Sequence, residues 1–403
     1  MKSRYNLCLV LLFCTFMAIA QEGPKKEKSL EIYGFVMTDI GYDFKQINPD
    51  WFDVIRTTKL PTYKNEFGTN GNVYFSVRQT RLGVKGYTNT PLGELKTIFE
   101  FELFGTGVDA GQTTFRLRHA YGELGKIGVG QYWSPFMDID VFPNTLEYWG
   151  PPGMALFRNV QIRYMPIQGD TRLTFALERP GAAADQGVYS NRIELEDVNP
   201  HFNLPDFSAE FRYGRKWGYV ELAGILRRIE WIDQNNNPNY NLSGDAVGWG
   251  LNLSTNLHLG KSSVFRGQFL YGEGIQNYMN DAPADIGIKN NPGNPRQPIL
   301  GVALPVTGIV AFLDHNWSSK FSSSIGYSSI SIENADASSA SSFKKGDYAI
   351  VNLLYTPVDR VMMGAELQYG KRTNFRDDFN SDIVKLQFSF KYNFSHLFYK
   401  DAK

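Results

Sequence analysis

The residues best suited to act on a solute are two arginines that stand two positions apart. Arg116 and Arg118 alternate with Phe115, Leu117 and Tyr121. A period of two is typical of a β-strand and places both guanidinium groups on one face, opposite the apolar side chains. Basic side chains that line an aqueous passage attract anions. The pattern therefore predicts a wall that screens anionic solutes.

A long segment follows this predicted strand and its return strand. Ser134–Phe157 contains four prolines, many apolar side chains and the carboxylates Asp138, Asp140 and Glu147. A loop of this length in an ordered domain is usually either functional or disordered. Its apolar side chains allow it to fold onto other parts of the chain. We predict a loop inside a barrel that narrows a pore, with its carboxylates either facing the arginines across the pore or paired with the wall.

The elements that must position these groups are recurrent strands. From Leu30 onward, alternating stretches are joined by connections that are short on one side and long on the other. This pattern is typical of an outer-membrane barrel, in which short turns lie in the periplasm and long loops outside the cell. We predict an all-β fold, a transmembrane antiparallel β-barrel of about sixteen strands over residues 30–403 that encloses a water-filled lumen.

The first twenty residues have the features of a secretory signal. Lys2 and Arg4 precede an apolar run that ends at Ala20, where we predict cleavage. Residues 21–29 form a short charged leader. Both cysteines, Cys8 and Cys14, lie in the signal, so we expect a mature chain without disulfides. Export and a barrel together predict the outer membrane of a Gram-negative-type bacterium, with lipid around the barrel.

Composition and motifs argue against several other functions. The chain after Ala20 has two more acidic than basic residues, so it lacks the basic field that nucleic acid requires. None of the five histidines belongs to a His-Glu-x-x-His motif, and no Gly-x-Ser-x-Gly motif is present. We expect no enzyme activity, no metal and no cofactor. A hydrolase assembled from separate strands remains an alternative, whereas a plugged transporter would need a longer leader.

Four stretches resemble the DcaP-like outer-membrane porins: Arg78–Gly86, Asp109–Thr114, Arg116–Glu123 and Gln131–Asp138. The resemblance implies a trimeric barrel of sixteen strands with its third loop folded inward, through which small anions such as dicarboxylates diffuse passively. It places Arg81, Arg116, Arg118 and Arg163 on the wall of the constriction, and Asp138 and Asp140 on the facing loop. Phosphate-selective and non-selective porins share the architecture, so the solute stays open.

The same arginines have a structural interpretation. Salt bridges in the lumen to Glu100, Glu102 and Glu123 would hold the wall together without selecting a solute.

The parity of side chains along strands two to four predicts the site of contact between barrels. Arg78, Thr97 and His119 fall on the outward face, where an arginine at the bilayer midplane costs about 2–4 kcal/mol. We therefore predict that these strands pack against partner barrels around a threefold axis. In the alternative interpretation, Arg78 lies at the rim or is turned inward by a bulge.

Overall fold

One antiparallel sheet closes on itself to form a barrel. The computed structural model describes residues 28–185, 198–234 and 238–400. Its first strand, Lys28–Asp43, pairs along its full length with its last strand, Asn380–Lys400. The first strand begins two residues before the predicted start at Leu30. The predicted signal peptide lies outside the described residues.

Within the described residues the barrel has sixteen strands, two of which are interrupted. They are β1 Lys28–Asp43, β2 Asn72–Ser76 and Arg81–Thr90, β3 Gly93–Phe104, β4 Thr113–Leu124, β5 Ile127–Trp133, β6 Arg158–Ile167, β7 Arg172–Glu178 and β8 Val198–His201 and Asp206–Arg215. They continue with β9 Gly218–Asp233, β10 Gly244–Leu259, β11 Ser263–Glu273, β12 Pro305–Asn316, β13 Phe321–Ile332, β14 Phe343–Val358, β15 Val361–Asn374 and β16 Asn380–Lys400. The predicted fold and strand number are confirmed.

In the described ranges, regular structure outside the barrel wall is limited to short pieces. A three-stranded sheet combines Ala184–Asp185, Ile286–Asn290 and Ile299–Ala303. Single 3-10 turns lie at Pro49–Trp51, Thr57–Lys59, Gly107–Asp109, Ile139–Val141 and Gln276–Tyr278. No helix among the described residues is long and apolar enough to cross a membrane.

The two faces of the strands differ as the alternation predicts. In β10, the side chains of Leu251 and Leu253 are exposed on the outside, whereas Asn252 and Ser254 between them are buried in the interior. The outer face can therefore contact lipid, and the inner face is polar.

Three loops from the same end fill much of the interior. We call them L1 (44–71), L3 (134–157) and L6 (274–304). Apolar side chains of L3 pack with Ile275 and Tyr278 of L6 in one cluster, and with Ile55 of L1 and Ile383 of the wall in another. L3 therefore lies inside the barrel, and L1 and L6 share its core.

His119 points into the barrel and not outward as predicted, because β4 contains a β-bulge. Glu100 pairs with His119, but the next residue of β3, Phe101, pairs with Leu117, so Arg118 is an extra residue. The alternation is reversed beyond this point. His119 is 3% exposed and packs against Trp133 on the inner side. His119 is therefore not available to a partner barrel.

Arg78 does not face outward as predicted, because β2 is interrupted at this residue. Residues 77–80 leave the strand, and the Arg78 side chain, 1% exposed, turns toward the loops. Its Nη1 donates to Asp53 Oδ1 of L1 at 2.6 Å, and its Nη2 donates to the Gly105 carbonyl at 2.9 Å. Arg78 therefore anchors L1. Thr97 is exposed on β3 as predicted by parity, and its place at an interface stays a prediction.

Candidate functional site

A cavity of about 700 Å³ lies between L3 and the barrel wall, and L1 and L6 complete its lining. Its charged lining is strongly basic. Six cations and one carboxylate, that of Glu147, contribute to it. The cations are Arg56, Arg81, Arg116, Arg118, Arg158 and Lys391. Aromatic and apolar side chains, including Phe35, Trp133 and Trp149, form much of the remaining surface.

Two buried glutamates of β3 organise the arginine side of the cavity. Arg118 donates from Nε to Glu100 Oε1 at 2.7 Å and from Nη1 to Glu102 Oε2 at 2.5 Å. Arg81 Nη2 lies 3.4 Å from Glu102 Oε2. Salt bridges to Glu100 and Glu102 therefore hold Arg81 and Arg118, as the structural interpretation states. The third predicted partner, Glu123, instead pairs with Lys96 at 3.4 Å.

Two further arginines are less fully engaged. Arg116 Nη1 and Arg158 Nη2 lie 3.5 Å and 3.7 Å from Glu102 Oε1, but neither side chain donates a hydrogen bond to any group in the described part of the chain. Arg158 Nη1 is buried without a hydrogen-bond partner there. Because four arginines share two carboxylates, this wall keeps a net positive charge, and its unused donors belong to residues that line the cavity.

The structure does not place Arg163 in the cavity wall, which corrects the position that the resemblance implied. Its Nε donates to Gln161 Oε1 at 3.0 Å, and its Nη2 donates to the carbonyl of Trp133. Its guanidinium lies over the rings of Tyr121 and Tyr132. These contacts fix the β5–β6 wall, and Arg163 is not among the residues that line the cavity.

Asp138 and Asp140 do not face the arginines of the cavity; they bind the wall on another side. Arg212 of β8 donates from Nη2 to Asp138 Oδ1 and from Nη1 to Asp140 Oδ2, both at 2.6 Å. Tyr219 and Ser254 also donate to Asp138, each at 2.7 Å. This set, which we call the L3 clamp, fastens the start of L3. Of the two interpretations of these carboxylates, the structure shows the pairing of loop with wall.

Glu147 fastens the middle of L3. Its carboxylate accepts backbone N–H bonds from Ile55 of L1 and from Trp149 and Gly150 of L3. Glu366 on β15 accepts the backbone N–H groups of Leu146 at 2.8 Å and Glu147 at 3.0 Å. Although Glu147 lies at the cavity, its oxygens are occupied by the backbone and do not present a free charge to a solute.

Burial raises the pKa of Glu147 to about 8, above the roughly 4.3 of an unfolded glutamate. The folded state therefore binds this proton more tightly, and the resulting stabilisation is lost as the pH rises through 8. We expect the temperature at which the folded barrel loses its heat-modifiable gel mobility to fall between pH 6 and pH 9. Glu147→Gln should reduce this fall, and an equal fall in both proteins would contradict the assignment.

L1 adds a cation that the sequence did not single out. The Arg56 guanidinium lies between the rings of Trp51 and Trp149, 4.3 Å and 4.2 Å from their centroids. Its Nη2 is 3.0 Å from Asp281 Oδ1 of L6. Arg56 therefore joins L1, L3 and L6 at the edge of the cavity. Contacts among three loops leave no periodic pattern in the sequence, so no such pattern could have identified Arg56.

The sequence analysis also did not single out Arg158, Lys391 or Arg212 as residues of the site. Arg158 would point outward by strand parity, but it stands at the junction with L3 and turns inward. Lys391 does have a sequence signal, because it continues the inward row of Gln387 and Ser389 in β16.

In the described residues no cluster of histidine, cysteine and carboxylate side chains could hold a metal ion.

A closed barrel of sixteen strands whose interior loop leaves a basic cavity defines a channel of the porin type. Residues 21–394 match the model of the family described as DcaP outer membrane protein, and the chain belongs to that family. It is therefore an outer-membrane protein. No curated protein sequence matches the chain significantly.

Solved porin structures share the fold. The outer membrane channel DcaP of Acinetobacter baumannii has a TM-score of 0.75 and 19% identity, covering 93% of this chain and 100% of that one. The anion-selective porin from Comamonas acidovorans has a TM-score of 0.57 and 11% identity, covering 91% and 100%. The trimer form of OmpT from Vibrio cholerae has a TM-score of 0.54 and 12% identity, covering 92% and 100%.

Proposed function

We propose that this protein is a passive outer-membrane pore for small hydrophilic anions, dicarboxylate-like solutes among them. The observation that carries the proposal is the charge of the cavity, which has six lining cations and one carboxylate that is already bound to backbone N–H groups. Fixed cations in a narrow cleft raise the local concentration of anions. Solutes cross down their gradient, and no residue is required to make or break a bond.

The assembly that we propose is a homotrimer in lipid. Large apolar side chains, such as Phe99 and Phe115, are exposed on the outer face of strands β3 and β4, beside Thr97. The anion-selective relative and the trimeric relative described above support the charge preference and the assembly by analogy of fold. With Arg78 and His119 turned inward, the proposed interface depends on these apolar groups and Thr97.

The function is tested by recording single channels in a planar bilayer with different KCl concentrations on the two sides. We expect regular conductance steps and a reversal potential that shows preference for chloride over potassium, most clearly in dilute salt because the Debye length is then longer. A reversal potential that favours potassium would contradict an anion pore. A hydrolase without a pore would give no regular steps.

A further inference from the structure

One cation of the cavity has no carboxylate partner. Lys391 of β16 lies opposite Met37 and Met362 on the neighbouring strands. Its Nζ is 4.0 Å from the centroid of the Phe35 ring. Among the described residues no carboxylate lies within salt-bridge distance of Lys391, and its ammonium group donates no hydrogen bond to them. No carboxylate of the described residues therefore offsets the charge of this ammonium group, and its three N–H donors have no protein acceptor there.

Three other lysines of the barrel wall differ from Lys391 in this respect. Lys385 pairs with Asp43 at 3.3 Å, Lys96 with Glu123 at 3.4 Å and Lys85 with Glu31 at 3.7 Å. Lys85 is a close parallel, because it too lies over an aromatic ring, 4.3 Å from the centroid of Tyr33, and Lys385 lies 4.4 Å from the centroid of Tyr74. A ring alone thus does not account for the missing partner of Lys391.

A second cation faces the same ring. The Arg81 guanidinium carbon lies 5.2 Å from the centroid of Phe35, and both Arg81 and Lys391 line the cavity. Arg81 is paired with Glu102, whereas its charge repels Lys391. Attraction to an aromatic face compensates such a cation only in part. An anion in the cavity would neutralise Lys391 and relieve the repulsion from Arg81.

We propose that Lys391 is the residue that most strongly determines the anion preference of this pore, because it takes its counter-ion from the solution. The solute offers a carboxylate, a phosphate or a halide ion to the ammonium group at the ring of Phe35. Arg118 and Arg81 shape the cavity but have most of their charge balanced by Glu100 and Glu102. This inference rests on the proposed function. It adds a specificity-determining residue on β16, the strand that closes the barrel by pairing with β1.

The test compares Lys391→Gln with Lys85→Gln in bilayers with a KCl gradient. Both variants remove one inward lysine over an aromatic ring, but only Lys391 lines the cavity without a partner. We expect the chloride-to-potassium permeability ratio to fall about fivefold in Lys391→Gln, as for loss of one nearby unit charge. We expect Lys85→Gln to change the ratio by less than half as much, and Lys391→Arg to retain it.

The outcomes separate the inference from the function. An anion-selective wild-type pore whose preference changes equally in Lys391→Gln and Lys85→Gln would overturn the role of Lys391 and leave the function standing. A wild-type pore without anion preference would overturn both. If Lys391→Gln does not form a heat-modifiable barrel, Lys391→Met replaces it, since a methionine suits the neighbourhood of Met37 and Met362.

Discussion

Replacement of Arg212 by Met is expected to raise the single-channel conductance several-fold and to make it unsteady. Arg212 binds Asp138 and Asp140 of L3, and its side chain is 8% exposed. Removing one partner of a buried ion pair costs about 3–5 kcal/mol, because the other charge is left uncompensated. The start of L3 then leaves the wall, and the loop no longer narrows the lumen. Conductance recordings measure the widening of the pore, and the temperature of the gel-mobility shift measures the loss of stability.

Arg172→Met is the matched control for this prediction. Arg172 Nη2 lies 2.9 Å from Glu221 Oε2, and Arg212 Nε lies 2.6 Å from the same oxygen. The two arginines therefore belong to one network, but only Arg212 contacts L3. We expect Arg172→Met to lower stability without raising conductance. Equal conductance in the two variants would show that the L3 clamp does not control the width of the pore.

The second large effect is on the chloride preference of the pore, which substitutions of charged residues are expected to lower or to raise. In the double variant Arg116→Gln with Arg158→Gln, two arginines remain beside Glu100 and Glu102, so this wall loses its net charge. A unit charge about 4 Å from an anion contributes roughly 1 kcal/mol even in bulk water, or about fivefold in local concentration. We expect the chloride preference to fall by at least this factor. Glu102→Gln should instead increase it.

Arg163→Gln is the control for these charge variants. Arg163 lies on β6 with Arg158, but it does not line the cavity. Its replacement should leave the reversal potential near the wild-type value. A double variant that behaves like Arg163→Gln would leave the wall arginines with a structural role only. No change in Glu102→Gln would show that this carboxylate does not offset the wall charge felt by a solute.

The sequence predicted the barrel well because its signals are local. Alternation along each strand depends on neighbouring residues, and the lengths of loops can be counted directly. The same reasoning identified L3 as an interior loop from its apolar content. It failed at His119 because the single extra residue at Arg118 leaves composition and spacing unchanged, yet reverses every later side chain in the strand.

The candidate site was predictable only in part. Arg116 and Arg118 share a strand, so parity brought them together. Arg212 and Asp138 are 74 positions apart in the chain, and their pairing depends on which strand L3 reaches after crossing the lumen. Lys391 meets Phe35 only because the last strand pairs with the first. Such contacts are fixed by closure of the sheet, which no local pattern describes.

The interior packing of L1, L3 and L6 couples the loops to the closure of the sheet. Side chains such as Phe136, Val141 and Met154 of L3 are fully buried among the other loops and the wall. Their apolar surface is removed from water only when the sheet surrounds them. Loop packing and closure of the barrel therefore stabilise each other, and the loops act as an internal support for the cylinder.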